Sequence, residues 1–274
     1  MRGAEGSERT VLLVGCGNMG RALLRGWLGG GAAARFHVVE PAGRPAEFAA
    51  SPGISWHASH AGLPAGLAAD AVVFAIKPQS VDEAVPAYRS LVRPETLFLS
   101  IIAGKTIAGL ARHLGPAAIV RSMPNTPAAI GRAITVACAN PAVTPPQRRL
   151  CDTLLAAIGE SAWVEDEALL DPVTAVSGSG PAYVFLLIEA LAEAGEREGL
   201  PPDLALRLAR ATVAGSGALA LASAEPPARL REMVTSPGGT TRAALDVLMA
   251  PDGLRQLMAR AVAAAAARSR ELAG

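Results

Sequence analysis

Two glycine-rich segments near opposite ends of the chain carry the residue types that bind anions. Gly15-Cys16-Gly17-Asn18-Met19-Gly20 follows the apolar run Val11-Leu12-Leu13-Val14 and opens an apolar-periodic segment, Ala22 to Leu28. Strand, tight turn and helix start form the context in which G-x-G-x-x-G binds a dinucleotide. One glycine permits the turn, one admits the pyrophosphate to the backbone, and one lets helix and strand pack closely. The helix start then offers unpaired N–H groups to the phosphates. Far along the chain, Ser236-Pro237-Gly238-Gly239-Thr240-Thr241 is a second glycine turn feeding a helix. Its donors are N–H groups and hydroxyls without fixed charge, suited to a small anion such as a carboxylate.

Between them lie turns that must face the same crevice if the first domain is an open parallel sheet. They are Ala75-Ile76-Lys77-Pro78, Ser100-Ile101-Ile102-Ala103-Gly104 and Met123-Pro124-Asn125-Thr126. Each joins small residues to a sharp turn, which allows close approach to a flat ring. Glu40 lies 20 positions past Gly20, where a carboxylate would accept the adenosine ribose hydroxyls of NAD. Arg44 follows and would instead suit a 2′-phosphate, so both coenzymes stay open. Val176-Ser177-Gly178-Ser179-Gly180-Pro181 sets small residues at the mouth of a long apolar helix.

The acid–base inventory is narrow. The lysines are Lys77 and Lys105, and the histidines are His37, His57, His60 and His113, so neither type occurs beyond residue 113. Carbonyl reduction needs an acid, usually His or Lys, to protonate the forming alkoxide.

The elements that position these residues read as strand–helix alternation, then helices alone. Strands are expected at 9–14, 35–40, 70–76, 97–102, 118–121, 134–139 and 161–164, and helices at 18–29, from Pro78, from Thr106 to Leu114 and from Thr144 to about Ile158. Residues 122–127 read as a rigid loop. From about Asp171 the chain reads helical, with helices at 182–198, 203–222, 227–234, 241–249 and 253–272. The fold class is α/β: a Rossmann-type doubly wound sheet over 1–166, followed by an all-helical dimerisation and substrate domain over 167–274. The segment 182–188 has no polar side, so it must be buried. A homodimer packing these helices between subunits is expected, with burial between the two domains of one chain as the alternative.

Composition excludes several classes. Apolar residues make up 51%, and the net charge of +1 supplies no cationic field for nucleic acid. Cys16, Cys138 and Cys151 are scattered without metal-ligand spacing, so no metal is expected and they read as reduced cysteines of a cytoplasmic protein. The polar residues 1–10 lack the apolar stretch of a signal peptide. The apolar segments are interrupted by charges such as Glu189 and read as too short to span a membrane.

Taken together, in this order and over residues 15–241, the motifs resemble the pyrroline-5-carboxylate reductases, enzymes of the last step of proline synthesis. Beyond those quoted above, the resemblance rests on Gln79, on Arg121-Ser122-Met123-Pro124-Asn125-Thr126-Pro127-Ala128, on Ala182-Tyr183-Val184-Phe185 and on Val234-Thr235. It implies hydride transfer from NADPH or NADH to the C=N carbon of L-1-pyrroline-5-carboxylate, and a homodimer, often in a ring of dimers. It assigns the pyrophosphate to Gly15, Gly17, Asn18, Met19 and Gly20, and since the family often prefers NADPH while Glu40 by its spacing argues for NAD, it leaves the coenzyme open. Ala75, Lys77 and Pro78 line the cofactor, and Ala103, Gly104 and Asn125 lie near the nicotinamide. Ser236, Gly238, Gly239, Thr240, Thr241 and Ser177 hold the substrate, with the Thr241 hydroxyl near the ring nitrogen as the catalytic contact. Ile102 and Arg242 depart from the family's usual residues. A β-hydroxyacid dehydrogenase, the nearest rival, needs a lysine in its helical part, and none is present. A nucleotide sensor would not need the Ser236–Thr241 turn.

Overall fold

The computed structural model describes residues 9–273. The N-terminal stretch examined for a signal peptide lies, up to residue 8, outside the described residues. Strands β1 (Thr10–Val14), β2 (Arg35–Val39), β3 (Ile54–His57), β4 (Ala71–Phe74), β5 (Leu97–Ser100), β6 (Ala118–Met123), β7 (Ala133–Ala139) and β8 (Gly159–Trp163) form one sheet in the order β3-β2-β1-β4-β5-β6-β7-β8. Neighbours are parallel except β6 and β7, which are antiparallel. Helices are α1 (Asn18–Gly30), α2 (Val81–Ala84), α3 (Ile107–Leu114), α4 (Pro145–Ala156), α5 (Leu170–Val173), α6 (Gly180–Arg197), α7 (Pro202–Ala222), α8 (Pro227–Met233), α9 (Thr240–Leu248) and α10 (Leu254–Ala273).

The strand order reverses beside β1, which lies between β2 and β4. That switch point is where open parallel sheets bind ligands, beyond the strand carboxyl ends. β1, β4 and β5 are buried throughout, as strands covered on both faces must be. Alternate residues feed two cores. Val11 and Leu13 pack with Leu23 and Trp27 on one side of the sheet, and Leu12 and Val14 with Phe74 and Tyr88 on the other. The indole N–H of Trp27 donates to the Leu154 carbonyl at 2.9 Å, pinning α1 to α4.

The chain divides into two compact units. One holds the described residues up to Gly178 together with those from Ala265, and the other is Ser179–Ala264. In the second unit, α6 meets α7 through Ala192, Ala205 and Ala209, with Ile188 against them. Small residues on both helices bring the backbones close.

Several elements differ from the sequence-based expectations. β3 was not anticipated: it is a four-residue edge strand with polar residues inside its pattern. The helix expected after Pro78 is broken into a 3₁₀ turn, the single turn α2 and a 3₁₀ stretch Val85–Leu91, because Pro86 cannot continue an α-helix. Ser122 and Met123 remain in β6, paired with Ala137 and Val136, so the expected loop begins only at Pro124. A π-helical turn, Thr174–Gly178, precedes α6. Against the expectation that no segment is long enough, Glu167–Arg197 and Pro202–Ala222 are long and apolar enough by length and composition to cross a membrane. Mean hydropathy stays at 1.4 and 1.3 over 18-residue windows holding no more than two charged residues, so isolated charges do not shorten these apolar runs. In the second unit Phe185 is 58% and Leu186 64% exposed, an apolar face that the chain leaves uncovered.

Candidate functional site

The glycine loop joins β1 to α1 at the switch point. The Gly15 N–H donates to Val39 and the Ala75 N–H to Val14, so the ends of β2, β1 and β4 are tied side by side. Gly15 has φ +90°, and a Cβ there would lie 2.7 Å from the Ala75 carbonyl oxygen. A Cβ at Gly20 would strike the Gly15 carbonyl. Packing therefore requires both glycines. Gly17 is different: its φ of −70° suits any residue, and a Cβ would meet nothing within 4 Å. The space beside Gly17 is open, and Gly17 lines a cavity that leaves room for a ligand against the helix start. Gly17 is also the N-cap of α1 and brings no side chain to cap it, so the first N–H groups of the helix have no internal partner.

A cavity of about 620 Å³ opens here, lined by Gly15, Gly17, Glu40, Ala75 and Lys77 among others. Asn18 and Met19 line a separate cavity with Thr126. Lys77 is exposed at the end of β4, and Pro78 starts the following 3₁₀ turn. The cavity is completed by Ser59, His60 and Tyr88, which were not singled out from the sequence. His60 meets Tyr88 edge-on, and burial pushes the Tyr88 hydroxyl up to about 12. The missing signal was β3, since Ser59 and His60 follow it directly. Burial, with the nearby Glu40 carboxylate, pushes the Cys16 thiol up to about 11, so it stays a neutral, unreactive thiol at pH 7.

The remaining predicted residues of this unit lie outside that cavity. Ala103 is exposed, and Gly104, at φ +70°, is covered by Leu272 of the last turn of α10. Asn125 uses both ends of its amide. Its Oδ1 accepts the Ile134 N–H at 3.1 Å, and its Nδ2 donates to the Ser177 hydroxyl at 3.2 Å. Two predicted residues 52 positions apart are thus joined, and the π-helical turn is pinned to the strand ends. Such turns recur at functional sites. A side chain at Gly178 would collide with Met123, so the turn packs on β6 as well. Below it, Arg121 is buried and ion-paired with Glu167 at 3.0 Å. The same Glu167 oxygen accepts the Ile107 N–H at 2.8 Å, holding the start of α3 behind the Ala103–Gly104 turn.

In the second unit, the turn before α9 repeats the logic of the first helix. Gly238 has φ +70°. Gly239 is the N-cap of α9, in extended conformation and without a side-chain cap. A Cβ at Gly239 would lie 2.5 Å from the Ser236 hydroxyl, so serine and backbone are in close contact. Thr240 and Thr241 supply the first two helical N–H groups. Thr240 is exposed and Thr241 half-buried. Ser236 and Gly238 line a cavity of about 370 Å³ with Arg242, whose Nε is ion-paired with Asp246 at 2.9 Å. Helices α3 and α4 are built otherwise: Thr106 caps the first, and Thr144 with Gln147 forms a capping box on the second. Their donors are closed by the chain itself. Gly17 and Gly239 bring no such side chain to the starts of α1 and α9.

Two family models match the chain. Residues 167–272 match the family model described as pyrroline-5-carboxylate reductase dimerisation, and residues 10–104 match that of NADP oxidoreductase, coenzyme F420-dependent. A pyrroline-5-carboxylate reductase of Pseudomonas aeruginosa is 41% identical over 97% of this chain and 98% of its own length. The solved pyrroline-5-carboxylate reductase of Coxiella burnetii is 34% identical with a TM-score of 0.87, covering 96% of this chain and 98% of that one. That of Plasmodium falciparum, solved with NADP bound, is 27% identical with a TM-score of 0.83, covering 97% and 98%.

Proposed function

The chain belongs to the pyrroline-5-carboxylate reductase family, and from that membership we propose how its own residues perform the reaction. The enzyme is an NAD(P)H-dependent oxidoreductase that reduces the C=N bond of L-1-pyrroline-5-carboxylate to L-proline. The observation that carries the residue-level reading is the pair of glycine-capped helix starts, α1 and α9, each lacking a side-chain cap. Bound NAD(P)H supplies a hydride. The N–H groups that follow Gly17, with Gly15 and Gly20 giving backbone clearance, hold its pyrophosphate. Lys77 and Pro78 border it, and Ala103, Gly104 and Asn125 shape the nicotinamide end.

The turn Ser236–Thr241 holds the substrate carboxylate through backbone N–H groups and hydroxyls, and Ser177 is carried as a substrate residue on the family resemblance. Thr241 orients the ring nitrogen by hydrogen bonding. The imine nitrogen arrives protonated, so the carbon is already electrophilic and no side chain has to deliver a proton during reduction. The lack of His and Lys beyond residue 113 supports this reading. Catalysis is then chiefly orientation, which is worth several kcal/mol when reacting atoms are held about 3–3.5 Å apart.

The division of labour between a cofactor domain, 1–166, and a dimerisation and substrate domain, 167–274, belongs to the same proposal. So do a ring of dimers, supported by the exposed apolar faces of α6 and α7, and a cytoplasmic location, supported by three buried, unpaired cysteines. The test is the oxidation of NADH and NADPH with pyrroline-5-carboxylate, with a hydroxyacid as control. Failure to turn over the imine defeats the proposal.

A further inference from the structure

Glu40 follows β2, at the rim of the cavity that holds Gly15 and Gly17. Its carboxylate does more than face that cavity. Oε2 accepts the Cys16 N–H at 2.7 Å, and Oε1 accepts the Ala42 N–H at 3.0 Å. Cys16 lies inside the glycine loop, so the loop itself holds the carboxylate in place. Each oxygen carries two lone pairs, so after both bonds the group can still accept from hydroxyls. A phosphate at the same place would find no such welcome. The two N–H donors aimed there are already taken by an anion, and charge-assisted bonds of this kind are about twice as strong as neutral ones. The phosphate would also meet a fixed like charge. Arg44, the nearby cation that would answer a phosphate, is exposed and does not line the cavity.

We infer that Glu40 makes this enzyme selective for NADH over NADPH, by occupying with its own carboxylate the N–H donors of Cys16 and Ala42 that a ribose 2′-phosphate would need. Selectivity arises because the anion position is self-filled, and anchoring at both oxygens stops the side chain from swinging aside. The inference takes the glycine loop as the dinucleotide site, as in the proposed function.

Nicotinamide fluorescence titration of the full-length protein with NADH and with NADPH reads selectivity without turnover. The wild type should bind NADH at least about tenfold more tightly, a difference of about 1.4 kcal/mol. Glu40→Ser, which releases both N–H donors, should cut that ratio about tenfold or reverse it, chiefly by tightening NADPH. Glu40→Gln, which keeps an acceptor but loses the charge, should fall between. The ratio is measured within one protein, so general loosening of the loop cancels, and a variant that fails to melt cooperatively is replaced by the other. A wild type that binds NADPH as well as NADH, or a Glu40→Ser ratio equal to the wild type's, overturns the inference. A wild type that binds NADH selectively but leaves pyrroline-5-carboxylate unreduced upholds it while defeating the proposed function. Binding of neither coenzyme defeats both.

Discussion

Gly17→Ala and Gly20→Ala separate ligand approach from packing within one loop. At Gly17 an added methyl meets no protein atom within 4 Å, and the backbone, φ −70°, accepts alanine. The fold should lose only the preference for glycine over alanine at an N-cap, about 1 kcal/mol. In melting temperature that is about 2–4 °C for a chain of this size. The methyl does, however, enter the open cavity beside the helix start. A pyrophosphate pushed outward loses at least one hydrogen bond between an N–H and a charged oxygen, about 1.5–3 kcal/mol. NADH should therefore bind about 10- to 100-fold more weakly. Gly20→Ala behaves in the opposite sense. Its methyl strikes the Gly15 carbonyl, which is backbone and cannot rotate away, so overpacking should cost about 1–3 kcal/mol or more and lower the melting temperature further. Fluorescence titration with NADH and thermal melting of both variants decide the matter. A Gly17→Ala protein that binds NADH like the wild type, or that melts as low as Gly20→Ala, would refute the reasoning.

Three further expectations follow from single contacts. Thr241→Ala should reduce kcat/KM for pyrroline-5-carboxylate about tenfold, the worth of one hydrogen bond, with NADH affinity unchanged and Thr241→Ser restoring most of the loss; unchanged steady-state kinetics would remove its role. Glu167→Ala leaves the Arg121 guanidinium buried without its partner and should destabilise the fold by about 3 kcal/mol in urea titration, where an unmoved midpoint counts against the pair. His37 accepts or donates one bond to His57 at 3.0 Å, and burial, with His57 and Arg35 alongside, holds its pKa below the ordinary value. The unfolded chain then binds the proton more tightly, so stability is complete above about pH 6.5 and declines as pH falls through the lowered value. The melting temperature should drop between pH 7 and pH 5, and His37→Gln should flatten that slope.

Much of the framework of the candidate site was legible because local geometry demands it. The G-x-G-x-x-G spacing predicts strand, turn and helix, and the chain provides Thr10–Val14 followed by Asn18–Gly30. The apolar runs at 70–76 and 97–102 predict buried strands, and the shorter strands found within them, Ala71–Phe74 and Leu97–Ser100, are buried throughout. Thr106 reads as a cap, and its hydroxyl oxygen accepts the Gly109 N–H at 3.0 Å. What escaped was weakly patterned or non-local. β3 alternates polar with apolar residues at a sheet edge, and its loss concealed Ser59 and His60. Pro86 broke a helix whose neighbours favoured one. The π-helical turn ends at Gly178 against Met123, a contact invisible in sequence.

Residue type and short spacing were enough to read the two glycine turns, most of the strands and helices and the narrow acid–base inventory. Folding settled which groups those turns leave free. Glu40 reads in sequence as a ribose acceptor, yet in the fold it is also the strut of the glycine loop, through Cys16 and Ala42. Asn125 reads as a strand-end polar residue, yet it ties Ser177 to β7. The physical reason is the same in both cases. A hydrogen-bonding group has a fixed number of donors and acceptors, and whether they are spent on the chain or left for a ligand depends on neighbours that only folding brings within 3 Å or so.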